Sequence, residues 1–118
     1  MTIEEPVIGV VGPCAAGKTT LVSDLRSAGY VVRHIAQEHS YVPDMWKKMS
    51  DPDYLVYLDV SYEVSTARSG TSWTRSIFNK QITRLIHARN NADLYIQTDK
   101  LTPKEVMNMV IKKIEAKQ

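Results

Sequence analysis

The chain has 118 residues, 43% of them hydrophobic and 24% charged, the composition expected of one small globular domain (1–118) with a single core and no separate substrate domain. Lys and Arg number 15 against 13 Asp and Glu, and the resulting net charge of +2 is too small to point by itself to nucleic acid or a membrane surface. No apolar run reaches the length of a membrane span, the opening MTIEEP carries acids where a secretory leader carries bases, and the one cysteine, Cys14, can form no internal disulfide, so a cytoplasmic location is expected.

Val7 to Val11 (VIGVV) is a nearly continuous β-branched run closed by Gly12 and Pro13, the pattern of a strand buried on both faces. After Gly17, the segment KTTLVSDLRSAG sets Leu21, Val22, Leu25 and Ala28 on one helical stripe, with Gly29 just past the helix end. Tyr30 to Ala36 (YVVRHIA) reads as a second strand, although Arg33 and His34 interrupt it. A short helix is expected between Ser40 and Met49, with Pro43 near its start, and the DPD turn at Asp51 to Asp53 ends it. Tyr54 to Leu58 (YLVYL) is a buried strand running into Asp59; Ser61 caps a short helix through Arg68, and Ser69 to Thr74 reads as loop. Ile77, Phe78, Ile82, Leu85 and Ile86 mark one stripe of a helix reaching about Asn90, and Leu94 to Gln97 is a fourth strand. Thr102, Pro103 and Glu105 open a closing helix that carries Val106, Met107, Val110, Ile111 and Ile114. Strands alternate with helices throughout, which calls for an α/β three-layer sandwich with a mostly parallel sheet of about four strands.

Charge is unevenly distributed. Between Val64 and Ala92 stand Arg68, Arg75, Lys80, Arg84 and Arg89 with no acid, whereas Glu38 to Glu63 holds six acids and two bases. A segment of this kind is either a solvated helix face or a surface for an anion. It has too few aromatics for nucleic-acid binding to be expected.

Gly12-Pro13-Cys14-Ala15-Ala16-Gly17-Lys18-Thr19 fits the phosphate-binding (Walker A) loop pattern of Gly, four residues, Gly, Lys, then Ser or Thr. A chance match in so short a chain has odds on the order of one in a few hundred. The match also lies where it must, between a buried strand and an amphipathic helix, so that backbone N–H groups from Gly12 through Thr20 could wrap a polyphosphate at the helix N-terminus. In that pattern Lys18 contacts the β and γ phosphates, and the Thr19 hydroxyl ligates Mg²⁺.

Together with the loop, two further stretches make the chain resemble a small P-loop kinase of the nucleoside and nucleotide kinase group, within the P-loop NTPase superfamily. YLVYLDVSYEVSTAR (Tyr54 to Arg68) is similar to the strand of those kinases that leads to a helix delivering an arginine into a lid, and ADLYIQTDKLTPKEV (Ala92 to Val106) to their last strand, adenine-side loop and closing helix. The resemblance implies a P-loop type of fold, ATP with Mg²⁺, a lid at about 66–80 and catalytic roles for Lys18, Arg68 and Arg75. It also implies that Thr98 to Pro103 passes beside the adenine. Asp59 either reaches Mg²⁺ through water or serves as a structural partner near the loop.

One unit of such kinases has no counterpart: the strand between the second one and YLVYLD, which usually ends in an acid. Gln37-Glu38-His39, at the C-terminal end of the second strand, is the available substitute. There Glu38 is expected to serve as Mg²⁺ ligand or general base, with His39 or Gln37 at the acceptor, or else these are surface loop residues. Trp46 with Met45 and Met49 either packs the core or lines an acceptor pocket, and Trp73 falls in the lid segment. The leading functional expectation is ATP- and Mg²⁺-dependent phosphoryl transfer to an unidentified small-molecule acceptor. The competing one is a nucleotide-binding module or slow NTPase with a regulatory or assembly role and no acceptor site. A chain lacking the acid-bearing strand could complete its site by pairing as a homodimer.

Overall fold

A computed structural model describes residues 5–70 and 73–116. In chain order it contains β1 (Val7–Val11), α1 (Lys18–Ser27), β2 (Val31–His34), a 3₁₀ turn (Gln37–His39), α2 (Met45–Ser50) and β3 (Tyr54–Asp59). Then follow α3 (Tyr62–Ser69), α4 (Arg75–Arg84), α5 (Ile86–Asn90), β4 (Leu94–Gln97) and α6 (Pro103–Ala116). The strands form one all-parallel sheet in the order β2-β1-β3-β4, with Gly9 opposite both Arg33 and Leu55, and Tyr57 opposite Tyr95.

Burial on both sheet faces is why β1 and β3 read as unbroken apolar runs. Ile8 and Val10 of β1 and Val56 and Leu58 of β3 face one core, completed by Leu21, Val22 and Leu25 of α1 and Val106, Val110 and Ile114 of α6. Val11, Leu55 and Tyr57, one residue out of phase, face a second core with Trp46 of α2, Leu85, and Ala88 of α5. The result is the three-layer α/β arrangement, compatible with a P-loop type of fold. Among the described residues no helix is long and apolar enough to cross a membrane.

Three helices begin where short polar side chains cap them. The Ser61 hydroxyl accepts from Val64 N at 3.2 Å, that of Thr74 from Ile77 N at 3.2 Å, and Thr102 and Glu105 exchange side chain-to-backbone bonds at 3.0 and 3.2 Å. The Thr102 N–H donated to Glu105 holds that carboxyl below its ordinary range.

The single helix expected to run to about Asn90 is two, divided at Leu85. Phe78 of α4 packs into the first core while Leu85 and Ala88 pack into the second, so the chain is redirected between them. Ile77 and Ile86, placed on the buried stripe by spacing, are 48% and 52% exposed, and buried Gln81 takes a position on it instead. Met49 is likewise exposed, leaving Trp46 as the residue by which α2 enters the core.

The topology fixes where the C-terminal ends of the strands open. From β1 the chain passes to β2 on one side and then crosses back to β3 on the other. In an open parallel sheet, the crevice at such a reversal is where ligands collect. Both the Gly12–Thr19 loop and the turn carrying Glu38 leave the sheet there.

Candidate functional site

The glycine-rich loop connects β1 to α1 through three left-handed residues, Gly12 at φ +154°, Ala15 at +65° and Gly17 at +102°. Gly17 is the N-cap of α1, and its carbonyl accepts the first helical bond from Leu21 N at 3.0 Å. The loop therefore ends where a helix presents unpaired N–H groups.

Lys18 turns back beneath the loop. Its ammonium donates to Gly12 O at 2.6 Å, Pro13 O at 3.1 Å and Glu38 Oε2 at 2.6 Å. Both partners of the ion pair are buried, their side chains 6% and 5% exposed. Glu38 reaches Lys18 because the 3₁₀ turn follows β2, the strand paired directly with β1. Its second oxygen, Oε1, is buried and has no hydrogen-bond partner among the described residues. A desolvated carboxylate oxygen left without a donor is unfavourable by about 1–3 kcal/mol, and more when the group is charged, so it marks a place for a cation or a donor.

Above this pair lies an open cavity of about 490 Å³ lined by Cys14, Lys18, Thr19, His34, Glu38 and Arg68, among others. Thr19 is exposed there, and its hydroxyl with the Glu38 carboxylate makes a set of hard oxygen donors, which suits Mg²⁺. These residues fit such an ion on the orphaned Oε1 as well as on donor type. Partial burial, and then the Lys18 charge, hold the His34 imidazole below its usual pKa of 6.5.

A second cavity, of about 270 Å³ and largely apolar, adjoins Gly17 on its other side, between Leu21, Leu58, Leu101, Pro103 and Val106. Arg68 lines both cavities. It donates to Ala15 O at 3.2 Å, to Thr98 Oγ1 at 3.0 Å and to Thr98 O at 2.7 Å, tying the loop to the end of β4. Buried Thr98 shares its hydroxyl proton between Asp59 O at 2.8 Å and Ala16 O at 3.1 Å.

In fold, the chain is similar to the YorR protein of Bacillus subtilis, whose crystal structure is of a complex with phosphorylated GDP. The TM-score is 0.67 over 94% of this chain and 96% of that one, at 14% sequence identity. At that identity the likeness is one of fold. A scan against protein-family models finds no match, and neither does a search of curated proteins.

The remaining candidate residues lie outside these cavities. Both Asp59 oxygens accept hydrogen bonds, Oδ1 from Val60 N at 2.9 Å and Oδ2 from the Tyr95 hydroxyl. Burial and then the Asp59 carboxylate push the Tyr95 phenol up to about 12. Arg75 pairs with Glu63 at 2.8 Å and lies over the Tyr62 ring, 4.5 Å from its centre. It borders a broad groove together with Ser40, Tyr41, Lys80 and Arg84, which carries three bases and no acid. Of the expected lid segment, Thr71 and Ser72 lie outside the described residues; its flanks are the end of α3 and the start of α4. Trp73 rests on α3, its indole N–H donating to Ser65 Oγ at 3.3 Å.

Two glutamines carry structure that spacing did not reveal. Gln81 of α4 accepts from Cys14 N at 2.9 Å and so holds the loop's outer edge. Gln37 is 1% exposed, donates to Val42 O and Arg84 O and accepts from Trp46 N, which uses its amide fully inside the fold and not at an acceptor. Trp46 is core as well, with its indole N–H donating to His87 Nδ1 at 3.0 Å.

Proposed function

We propose that the chain binds a purine nucleoside triphosphate, read as ATP with Mg²⁺, and transfers its terminal phosphoryl group to a small-molecule acceptor. The observation that carries the reading is the buried Lys18 ammonium held under the loop by Glu38, beside the exposed Thr19 hydroxyl and an open cavity. A glycine-rich loop on a helix N-terminus, backed by a fixed cation, is an anion site for polyphosphate. The likeness in fold to YorR, crystallised with phosphorylated GDP, adds support for a nucleotide ligand.

In this reading the loop from Gly12 to Thr20 holds the phosphates through N–H groups other than that of Cys14, which Gln81 takes, Pro13 having none, and the apolar cavity at Leu101 to Val106 takes the base. Lys18 passes from Glu38 to the phosphate oxygens as they arrive, which leaves the carboxylate free to hold the metal or accept the acceptor's proton. Bound Mg²⁺ would neutralise charge on the phosphate oxygens, with Thr19 and Glu38 as its protein donors and Asp59 kept for the Tyr95 contact. In the same reading Arg68, which lines both cavities, gives its guanidinium to the phosphates. The groove of Arg75, Lys80 and Arg84 starts at Ser40 and Tyr41, directly after the Glu38-His39 turn, and is the place for an acceptor.

The test is nucleoside diphosphate formation from ATP, and in parallel GTP, with Mg²⁺ and a panel of nucleosides, nucleotides and small hydroxylated metabolites. Acceptor-stimulated turnover, lost in Glu38→Gln, is expected. Tight nucleotide binding that no acceptor turns into product would overturn phosphoryl transfer and leave a binding module. Turnover unchanged in Glu38→Gln would remove that residue from the chemistry.

Proton linkage supplies a second check. Since burial and Lys18 lower the empty site's His34 pKa, an arriving polyphosphate raises it. Between the two values the complex holds more protons than its parts, so affinity rises as pH falls through the window below and around 6.5. Titration calorimetry in two buffers of different ionisation enthalpy should show proton uptake on binding, abolished in His34→Asn. Equal heats in both buffers would contradict it.

A further inference from the structure

Cys14 and His39 have no part in the chemistry above, yet they meet Glu38 in a cluster. Cys14 Sγ lies 3.7 Å from His39 Nε2 and 4.0 Å from Glu38 Oε2, and those two atoms are 3.9 Å apart. A thiol, an imidazole and a carboxylate thus form a nearly equilateral triangle. In a tetrahedral site with Zn–S of roughly 2.3 Å and Zn–N and Zn–O of roughly 2.0–2.2 Å, the donor atoms stand about 3.4–3.6 Å apart, so the triangle has only to close by a few tenths of an ångström to hold such an ion. Among the described residues this is the group of three or more such side chains that closes to ligand distance.

We infer that Cys14, Glu38 and His39 form a binding site for one thiophilic divalent cation of the Zn²⁺ type, spanning the glycine-rich loop and the turn after β2. Glu38 enters the triangle through Oε2, which also accepts from the Lys18 ammonium, while its buried Oε1 has no hydrogen-bond partner among the described residues, so the carboxylate has a further oxygen to offer a second cation. One carboxylate can serve both cations, because Gly12 O and Pro13 O also hold Lys18. The donor set decides the metal class: a sulfur and a nitrogen disfavour Mg²⁺ and Ca²⁺ and favour Zn²⁺. Binding replaces the thiol S–H bond with a thiolate–metal bond, and the proton leaves to solvent. Three protein ligands leave a fourth position for water or a phosphate oxygen, beside the cavity that Cys14 and Glu38 line. An ion there occupies Glu38, so Zn²⁺ opposes turnover; that consequence rests on the phosphoryl-transfer reading, while the binding itself does not.

The experiment is therefore one of binding, on the full reduced chain without nucleotide. Co²⁺ serves as a spectroscopic stand-in, followed by displacement with Zn²⁺ against a chromogenic chelator. The expected result is one equivalent bound per chain, with intense visible bands of a tetrahedral ion and a near-ultraviolet thiolate-to-cobalt band. Since Cys14 is the one cysteine, Cys14→Ser must abolish that ultraviolet band. Cys14→Ser and His39→Ala should each weaken Zn²⁺ by at least about tenfold. Absence of the thiolate band in the unmodified protein, half an equivalent per chain from an ion shared between two copies, or Zn²⁺ affinity unchanged in Cys14→Ser would each overturn the site. Failure of every acceptor to stimulate turnover would leave it untouched.

Discussion

Replacing Lys18 by methionine is expected to lower stability by about 3–5 kcal/mol, because it leaves the buried Glu38 carboxylate without its cation. The same substitution should weaken ATP by at least about tenfold, the equivalent of losing one charged hydrogen bond of roughly 1.5–3 kcal/mol. The two effects have different origins and can be separated. In Lys18→Met/Glu38→Leu the buried pair becomes apolar at similar volume, so most of the stability should return, whereas nucleotide binding should not. Urea unfolding followed by fluorescence of buried Trp46, with ATP titration calorimetry on each variant, reads both quantities. If the double variant regained both, the Lys18 ammonium would have no part in holding phosphate. If the single variant were as stable as the parent, the ion pair would be energetically idle and Glu38 could not be regarded as tuned by it.

That coupling between Lys18 and Glu38 shows what was legible in the sequence and what was not. A loop pattern, a strand before it and an amphipathic helix after it are local signals, and β1, α1, β3, β4 and α6 all emerge close to where period and caps place them. The sheet pairs β2 directly with β1 and β1 with β3, an order that no local signal encodes. The partnership of Glu38 with Lys18 is also a consequence of that pairing, and Glu38 could be singled out by its place at a strand's C-terminal end. The contacts of Gln81, Gln37 and Arg68 could not. Gln81 reaches Cys14 across 67 residues, and Arg68 reaches Thr98 across 30, through side chain-to-backbone bonds that no periodicity encodes. The one available sign was a polar residue on an apolar stripe: Phe78, Gln81 and Leu85 fall at helical spacing, and a glutamine buried there must have its amide satisfied. The break at Leu85 escaped for a related reason. An apolar pattern says which residues are buried but not in which of two cores, and α4 and α5 serve different ones.

Gly12 and Gly17 stand at the two ends of the loop, and alanine should act chiefly on stability at the first and on binding at the second. At Gly12, with φ of +154°, an added Cβ would overlap the carbonyl oxygen of Leu58, part of β3's own backbone and unable to move aside. Strain at such a φ is unfavourable by about 1–3 kcal/mol and overpacking by about 1–3 more, so Gly12→Ala should lose roughly 3–5 kcal/mol. The close approach is the reason the crevice between β1 and β3 can exist: the loop leaves the sheet hard against β3 before it turns over Lys18. At Gly17, with φ of +102°, nothing lies within 4 Å of the added Cβ, so Gly17→Ala should lose only the backbone strain and remain folded. Gly17 nevertheless lines both cavities, and a methyl group there enters the space claimed for phosphate and base. Urea unfolding should therefore single out Gly12→Ala, and nucleotide titration of the folded variant should single out Gly17→Ala. A Gly12→Ala protein within about 0.5 kcal/mol of the parent, the usual range of a neutral surface change, would mean that the loop leaves β1 by another path. A Gly17→Ala protein that bound ATP unweakened would mean that the nucleotide does not pass over the start of α1.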